Sequence, residues 1–149
     1  MKLARTGVMA AAIFAVVTAV SAQKPDFSGT WKLEPASASA GGGVALGDGP
    51  ATVAQTADAL TVKGPIGEQG ALTFKLDGSD SRNMMIGPGG QLADSLSTAR
   101  WDGPRLTIVT RQEVDGRLVE FTEAWTVEGR QLTVETTNAR GTQKRVYMK

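Results

Sequence analysis

The sequence predicts an all-β domain, an antiparallel up-and-down meander closed into a barrel of about eight to ten strands. Three observations carry this expectation. Turn dipeptides recur at a nearly fixed pitch, at Asp77-Gly78, Asp102-Gly103, Asp115-Gly116, Glu128-Gly129 and Arg140-Gly141. Between them apolar and polar residues alternate with period two, as half-buried strands require. No segment beyond the first 22 residues sustains a helical period. Asp-Gly suits a two-residue hairpin because both central residues of a type I′ turn take positive φ, which Gly adopts freely and Asp tolerates. The glycines at 103, 116, 129 and 141 stand 13, 13 and 12 residues apart, which leaves strands of roughly ten residues. Ordinary strands run about five or six, so the pitch favours a curled meander over a short-stranded sandwich.

In chain order, Lys2 and Arg5 precede an apolar run from Val8 to Val20 that closes in Val20-Ser21-Ala22. This is the pattern of a secretory signal peptide over residues 1–22. The run is shorter than the roughly 20 apolar residues of a membrane span; an uncleaved N-terminal anchor is the alternative. Removing it leaves 127 residues, a single domain over 23–149, expected in the periplasm or outside the cell. Asp26 to Leu33 alternates, with Phe27, Gly29, Trp31 and Leu33 on one face. Pro35 to Pro50 is rich in Ala, Ser and Gly and predicts a long flexible loop; its Gly41-Gly42-Gly43 lacks the Lys-Ser/Thr of a phosphate loop. Short strands follow at Ala51 to Thr56, Leu60 to Lys63, Ala71 to Leu76 and Arg82 to Ile86. The long-strand region then comprises Gln91 to Trp101, Arg105 to Glu113, Leu118 to Val127, Arg130 to Asn138 and Thr142 to Met148.

Composition narrows the chemistry. With Lys2 and Arg5 removed from the 16 basic side chains, 14 remain against 15 acidic ones, so no basic field for nucleic acid exists. Without His or Cys, the chain forms no Ser-His-Asp triad, no thiol site and none of the usual zinc or copper centres. A lipid-modified N-terminal cysteine is excluded as well. The sequence implies no cofactor, no metal and no catalytic motif, and a monomer is expected. The faces opposite the predicted core carry Lys32, Lys75, Glu120 and Glu135, unlike the apolar outer band of an outer-membrane barrel.

Two ends of the mature chain belong together: Phe27-Ser28-Gly29-Thr30-Trp31-Lys32-Leu33 opens it and Lys144-Arg145-Val146-Tyr147-Met148-Lys149 closes it. This resembles the calycin superfamily. Lipocalins and fatty-acid-binding proteins begin with a Gly-x-Trp strand, and the latter branch often reads near F-x-G-T-W-K-L and ends near R-x-Y-x-K. The turns Trp101-Asp102-Gly103 and Val114-Asp115-Gly116 are similar to those of that branch, and the layout is most similar to bacterial exported lipocalin-like proteins. The resemblance implies a closed barrel whose lumen holds a small hydrophobic molecule. The Pro35 to Pro50 loop, the export signal and the additional strand Arg130 to Asn138 depart from the fatty-acid-binding branch.

The candidate ligand-binding residues are Arg145, Tyr147, Arg111, Phe121, Glu123 and Trp125. Arg145 and Tyr147 share one face of the last strand; the resemblance implies a pair that grips a ligand carboxylate. The alternatives are packing of Arg145 on Trp31, or solvation of Arg145 with Val146 and Met148 inward. Arg111 stands four residues before Asp115, as a carboxylate-binding Arg does in the fatty-acid-binding branch, yet Leu106 and Ile108 place the core on the other face. Glu123 interrupts the apolar face of Phe121 and Trp125, and a carboxylate there must be paired or protonated. It is a ligand anchor, a general base or a structural partner of an Arg. Three functions follow: an exported carrier of a small hydrophobic ligand, a ligand-free barrel acting as an interaction or structural module of the cell envelope, and a carboxylate-dependent isomerase or hydrolase.

Overall fold

The computed structural model describes residues 23–37, 45–64, 67–86 and 90–149, with the backbone alone for 67–69. The signal-peptide segment and Gly41-Gly42-Gly43 lie outside them. Ten strands follow in order: β1 (Gly29–Leu33), β2 (Ala51–Gln55), β3 (Ala59–Gly64), β4 (Gly67–Lys75), β5 (Asp80–Ile86), β6 (Leu92–Asp102), β7 (Arg105–Val114), β8 (Arg117–Glu128), β9 (Gln131–Asn138) and β10 (Gly141–Met148). The helical element among the described residues is a single 3-10 turn, Pro35–Ser37, and no helix there is long and apolar enough to cross a membrane. The strand expectations hold to within a few residues at each end, the largest change being the extension of β4 back to Gly67.

Every ladder is antiparallel, and the order β4-β3-β2-β1-β10-β9-β8-β7-β6-β5 is that of an up-and-down meander whose first and last strands meet through β1 and β10. This sheet curls into a nearly closed barrel. The alternation on each strand decides what lies inside: Phe121, Glu123 and Trp125 of β8, Leu132, Val134 and Thr136 of β9, and Arg145 and Tyr147 of β10 are buried, while the residues between them are half-buried or exposed.

The turns are finer than their pitch. Asp115 and Gly116 are the central pair of the β7-β8 hairpin, both at positive φ (52° and 72°), as a type I′ turn needs. At β6-β7 and β8-β9 the ladders run to Asp102 and Glu128, so Gly103 (φ 58°) and Gly129 (φ 59°) open the two-residue loop and the acidic residue before each stays in the strand.

The seam between β4 and β5 closes without a backbone ladder. Asn83 reaches from β5 and makes both bonds that a ladder would make to Thr73: its Oδ1 accepts the Thr73 N–H at 2.8 Å and its Nδ2 donates to the Thr73 carbonyl at 3.0 Å. One step lower, the Ser81 Oγ accepts the Lys75 N–H at 2.8 Å. These side chains satisfy strand-edge groups that would otherwise lie open to another chain.

One end of the barrel is packed with aromatic rings. Phe27 stacks on Trp101 (centroids 5.8 Å, 12° between planes) and meets Trp125 edge-on (5.7 Å, 90°). The Trp31 indole N–H donates to the Phe27 carbonyl at 2.8 Å. Lysines cover the outer rings, Lys149 4.9 Å from the Trp31 centroid and Lys24 5.6 Å from that of Trp101.

Of the loop expected over Pro35 to Pro50, residues 35–37 and 45–50 are described, and both parts are tied to the barrel, while 38–44 lie outside the described residues. Ser37 is bonded to the last strand through Val146, accepting its N–H and donating to its carbonyl. Ala45 and Leu46 are fully buried members of the core. Two apolar side chains and a set of backbone bonds are enough to seat this short stretch among strands that already exist.

Replacing Asn83 with Ala strands the Thr73 N–H and carbonyl and is expected to lower stability by about 1 to 3 kcal/mol. Thr142→Val, which removes an exposed bond to Thr137, should change stability by less than about 0.5 kcal/mol. Urea denaturation of the two variants measures the difference.

Candidate functional site

The candidate site is the polar centre of the barrel interior, built where β8, β9 and β10 lie side by side. On β8, Glu123 and Trp125 are alternate residues and therefore share the inward face. Thr136 of β9 stands directly opposite Glu123 in the ladder, and Val134 stands between Trp125 and Arg145. Arg145 and Tyr147 continue the face on β10. Five of the six residues expected at a site thus come together: Arg145, Tyr147, Glu123, Trp125 and, at the edge of the group, Phe121.

Arg111 is the exception. It lies on the outer face, half-exposed, and its Nε donates to the Glu120 Oε2 at 2.8 Å across the β7-β8 ladder. The alternation that buries Ile108, Thr110 and Gln112 turns it out. There it lines an open groove of about 230 Å³ with Arg82, Leu96 and Leu118, away from the barrel interior.

One stretch of chain supplies the partners of the buried polar groups. The Ala45 N–H donates to Glu123 Oε1 at 2.9 Å. The Tyr147 hydroxyl donates to the Gly47 carbonyl at 2.8 Å. The Arg145 guanidinium, only 4 % exposed, donates to the Asp48 carboxylate. The reading of Arg145 as a solvated residue is therefore replaced by an ion pair between this buried arginine and the largely exposed Asp48 carboxylate, and the cation over the Trp31 ring is Lys149.

Burial sets the electrostatics. It pushes the Glu123 carboxyl up to about 7, against the partial pull of the Ala45 N–H, the Trp125 indole N–H and the Arg145 charge. The Trp125 N–H acts on that carboxyl without reaching hydrogen-bond geometry. Burial also pushes the Tyr147 hydroxyl up to about 12, although the neighbouring Arg145 works the other way. For Arg145 burial opposes the charge, but Tyr147 and Asp48 outweigh it and its pKa is raised. At neutral pH the interior thus holds a charged Arg145, a neutral Tyr147 and a Glu123 divided between its two forms.

Five buried polar side-chain atoms among the described residues have no hydrogen-bond partner: Trp101 Nε1 in the aromatic cluster, and Gln112 Oε1, Glu123 Oε2, Trp125 Nε1 and Thr136 Oγ1 on inward-facing residues of β7, β8 and β9. Sequence reasoning pointed to Glu123 and Trp125 but missed Gln112 and Thr136. The signal available for both was a polar residue at an inward position of an alternating strand. Ser97 and Thr110, also inward, bond to each other at 2.9 Å.

Chemically, a carboxyl that titrates near neutrality can exchange a proton at Oε2. Arg145 and Tyr147 beside it are both shifted upward, so neither complements it as an acid-base partner. No cluster of acidic residues among the described residues could hold a metal ion. What the arrangement offers is mixed donors and acceptors on buried side chains, the kind of groups that orient a molecule in a mostly apolar binding cavity. Comparison with protein-family models and with curated proteins gives no match to this chain.

The sign of the pH dependence follows from Glu123. Its folded pKa lies above the ordinary glutamate value of 4.5, so the unfolded chain releases this proton first. The contribution is full below about pH 4.5 and falls as pH rises toward about 7, by a total of about 3 kcal/mol at about 1.4 kcal/mol per pH unit. Glu123→Gln cannot titrate. Denaturation of both proteins from pH 4.5 to 7.5 should show the native chain losing stability relative to the variant across this window.

Proposed function

We propose that this chain is an exported, lipocalin-like carrier that binds a small hydrophobic molecule in the lumen of its barrel, in the periplasm or outside the cell. The observation that carries the proposal is the set of unpartnered polar atoms on the inner wall, Glu123 Oε2, Trp125 Nε1, Thr136 Oγ1 and Gln112 Oε1. A core selected for stability alone gains nothing from such atoms, since each buried group without a bond costs about 1 to 3 kcal/mol. A binding wall gains orientation from them. The export element rests on the charged and apolar pattern of residues 1–22.

A second reading, a ligand-free barrel serving as an interaction or structural module of the envelope, is favoured by the full burial of Ala45 and Leu46 in the core. Small barrels are commonly filled by their own side chains.

Native mass spectrometry of the protein purified from its own cell envelope separates the two. The carrier should arrive with the added mass of a small molecule that is lost on raising collision energy. A bare chain accompanied by a stoichiometric protein partner would instead support the module.

A further inference from the structure

We infer that the molecule taken by the barrel is a neutral one, carrying a hydroxyl or primary amide at one end of an apolar body, and that Glu123, Trp125 and Thr136 hold that end. The inference rests on the carrier reading and gives it a ligand class. Glu123 and Thr136 are ladder partners, and Trp125 is the next inward residue along β8. An acceptor, a donor and a hydroxyl therefore share one patch of wall, each on a side chain at least nine-tenths buried and each unpartnered.

The charged group an anion would seek is engaged. Arg145 is bonded to Asp48 and lies beside Tyr147, whose hydroxyl is bonded to Gly47. A ligand carboxylate would also enter beside Glu123, and two carboxylates in one dry site repel. A hydroxyl or amide suits the patch in either protonation state of Glu123, because each can both donate to Oε2 or accept from it while facing the Trp125 N–H.

The apolar body has a direction. Phe121 is the inward residue beyond Glu123 on β8, and Gln112, whose Oε1 is also unpartnered, stands four residues past Ile108, the ladder partner of Glu123. Thr110 also faces inward between Ile108 and Gln112, so Phe121 is the apolar neighbour that this part of the wall gives the polar patch.

The test is displacement of N-phenyl-1-naphthylamine from the full mature chain at pH 6 by 1-decanol and by decanoate. Decanol should displace the dye at a concentration about tenfold lower than decanoate. Thr136→Val and Glu123→Ala, each checked for a native circular-dichroism spectrum, should erase most of that preference. Decanoate displacing as well as decanol, or a preference that survives in both variants and so reflects partition alone, overturns the inference while the carrier reading stands. No uptake of the dye and no binding of either compound overturns the carrier reading itself.

Discussion

A carboxyl group in the middle of a small barrel must find a hydrogen bond or give up its charge, and the bond from the Ala45 N–H to Glu123 is how this protein meets that demand. Much of the interior follows from it. Drawing Ala45 inward brings Leu46 into the core and sets Gly47 and Asp48 over Tyr147 and Arg145. Three polar side chains on three successive inward steps are thereby served by four consecutive residues of one segment. The bond is incomplete by one oxygen, and that oxygen is where a bound molecule enters the account.

The wall tolerates such an interior because its own bonds do not depend on it. Continuous ladders from β4 round to β5 satisfy the backbone, and Asn83 and Ser81 finish the circle with side-chain groups. The aromatic cluster of Phe27, Trp101 and Trp125, with Trp31 tied to Phe27, concentrates apolar burial at one end. Glu123 sits one inward step from that cluster, which is why its surroundings are dry enough to raise its pKa.

The strands were legible because alternation and turn pitch are local properties. Val119 to Val127 declares its inward face from sequence, and so do Leu106 and Ile108. Facing on the last strand was not legible, since Arg145 and Tyr147 compete with Val146 and Met148 for the same period of two. The ladder to β9, where Arg145 meets Val134 and Tyr147 meets Leu132, decides it. Residues 45 and 46 were hidden by their setting: the apolar run Val44-Ala45-Leu46 between glycine-rich stretches is too short to show a periodicity, and the Ala45 N–H is bonded to a carboxylate 78 positions away. The seam was hidden for a related reason, because Asn83 and Ser81 occupy inward positions that read as weak strand until the unpaired edge of β4 is placed beside them.

Native-state hydrogen exchange at the Ala45 amide tests the central claim most directly. A donor bonded to a fully buried carboxyl oxygen should exchange only when a large part of the barrel opens, with protection close to that of amides in β8. Exchange of Ala45 at the rate of an unstructured peptide would contradict the account, for it would mean that Glu123 lacks this partner.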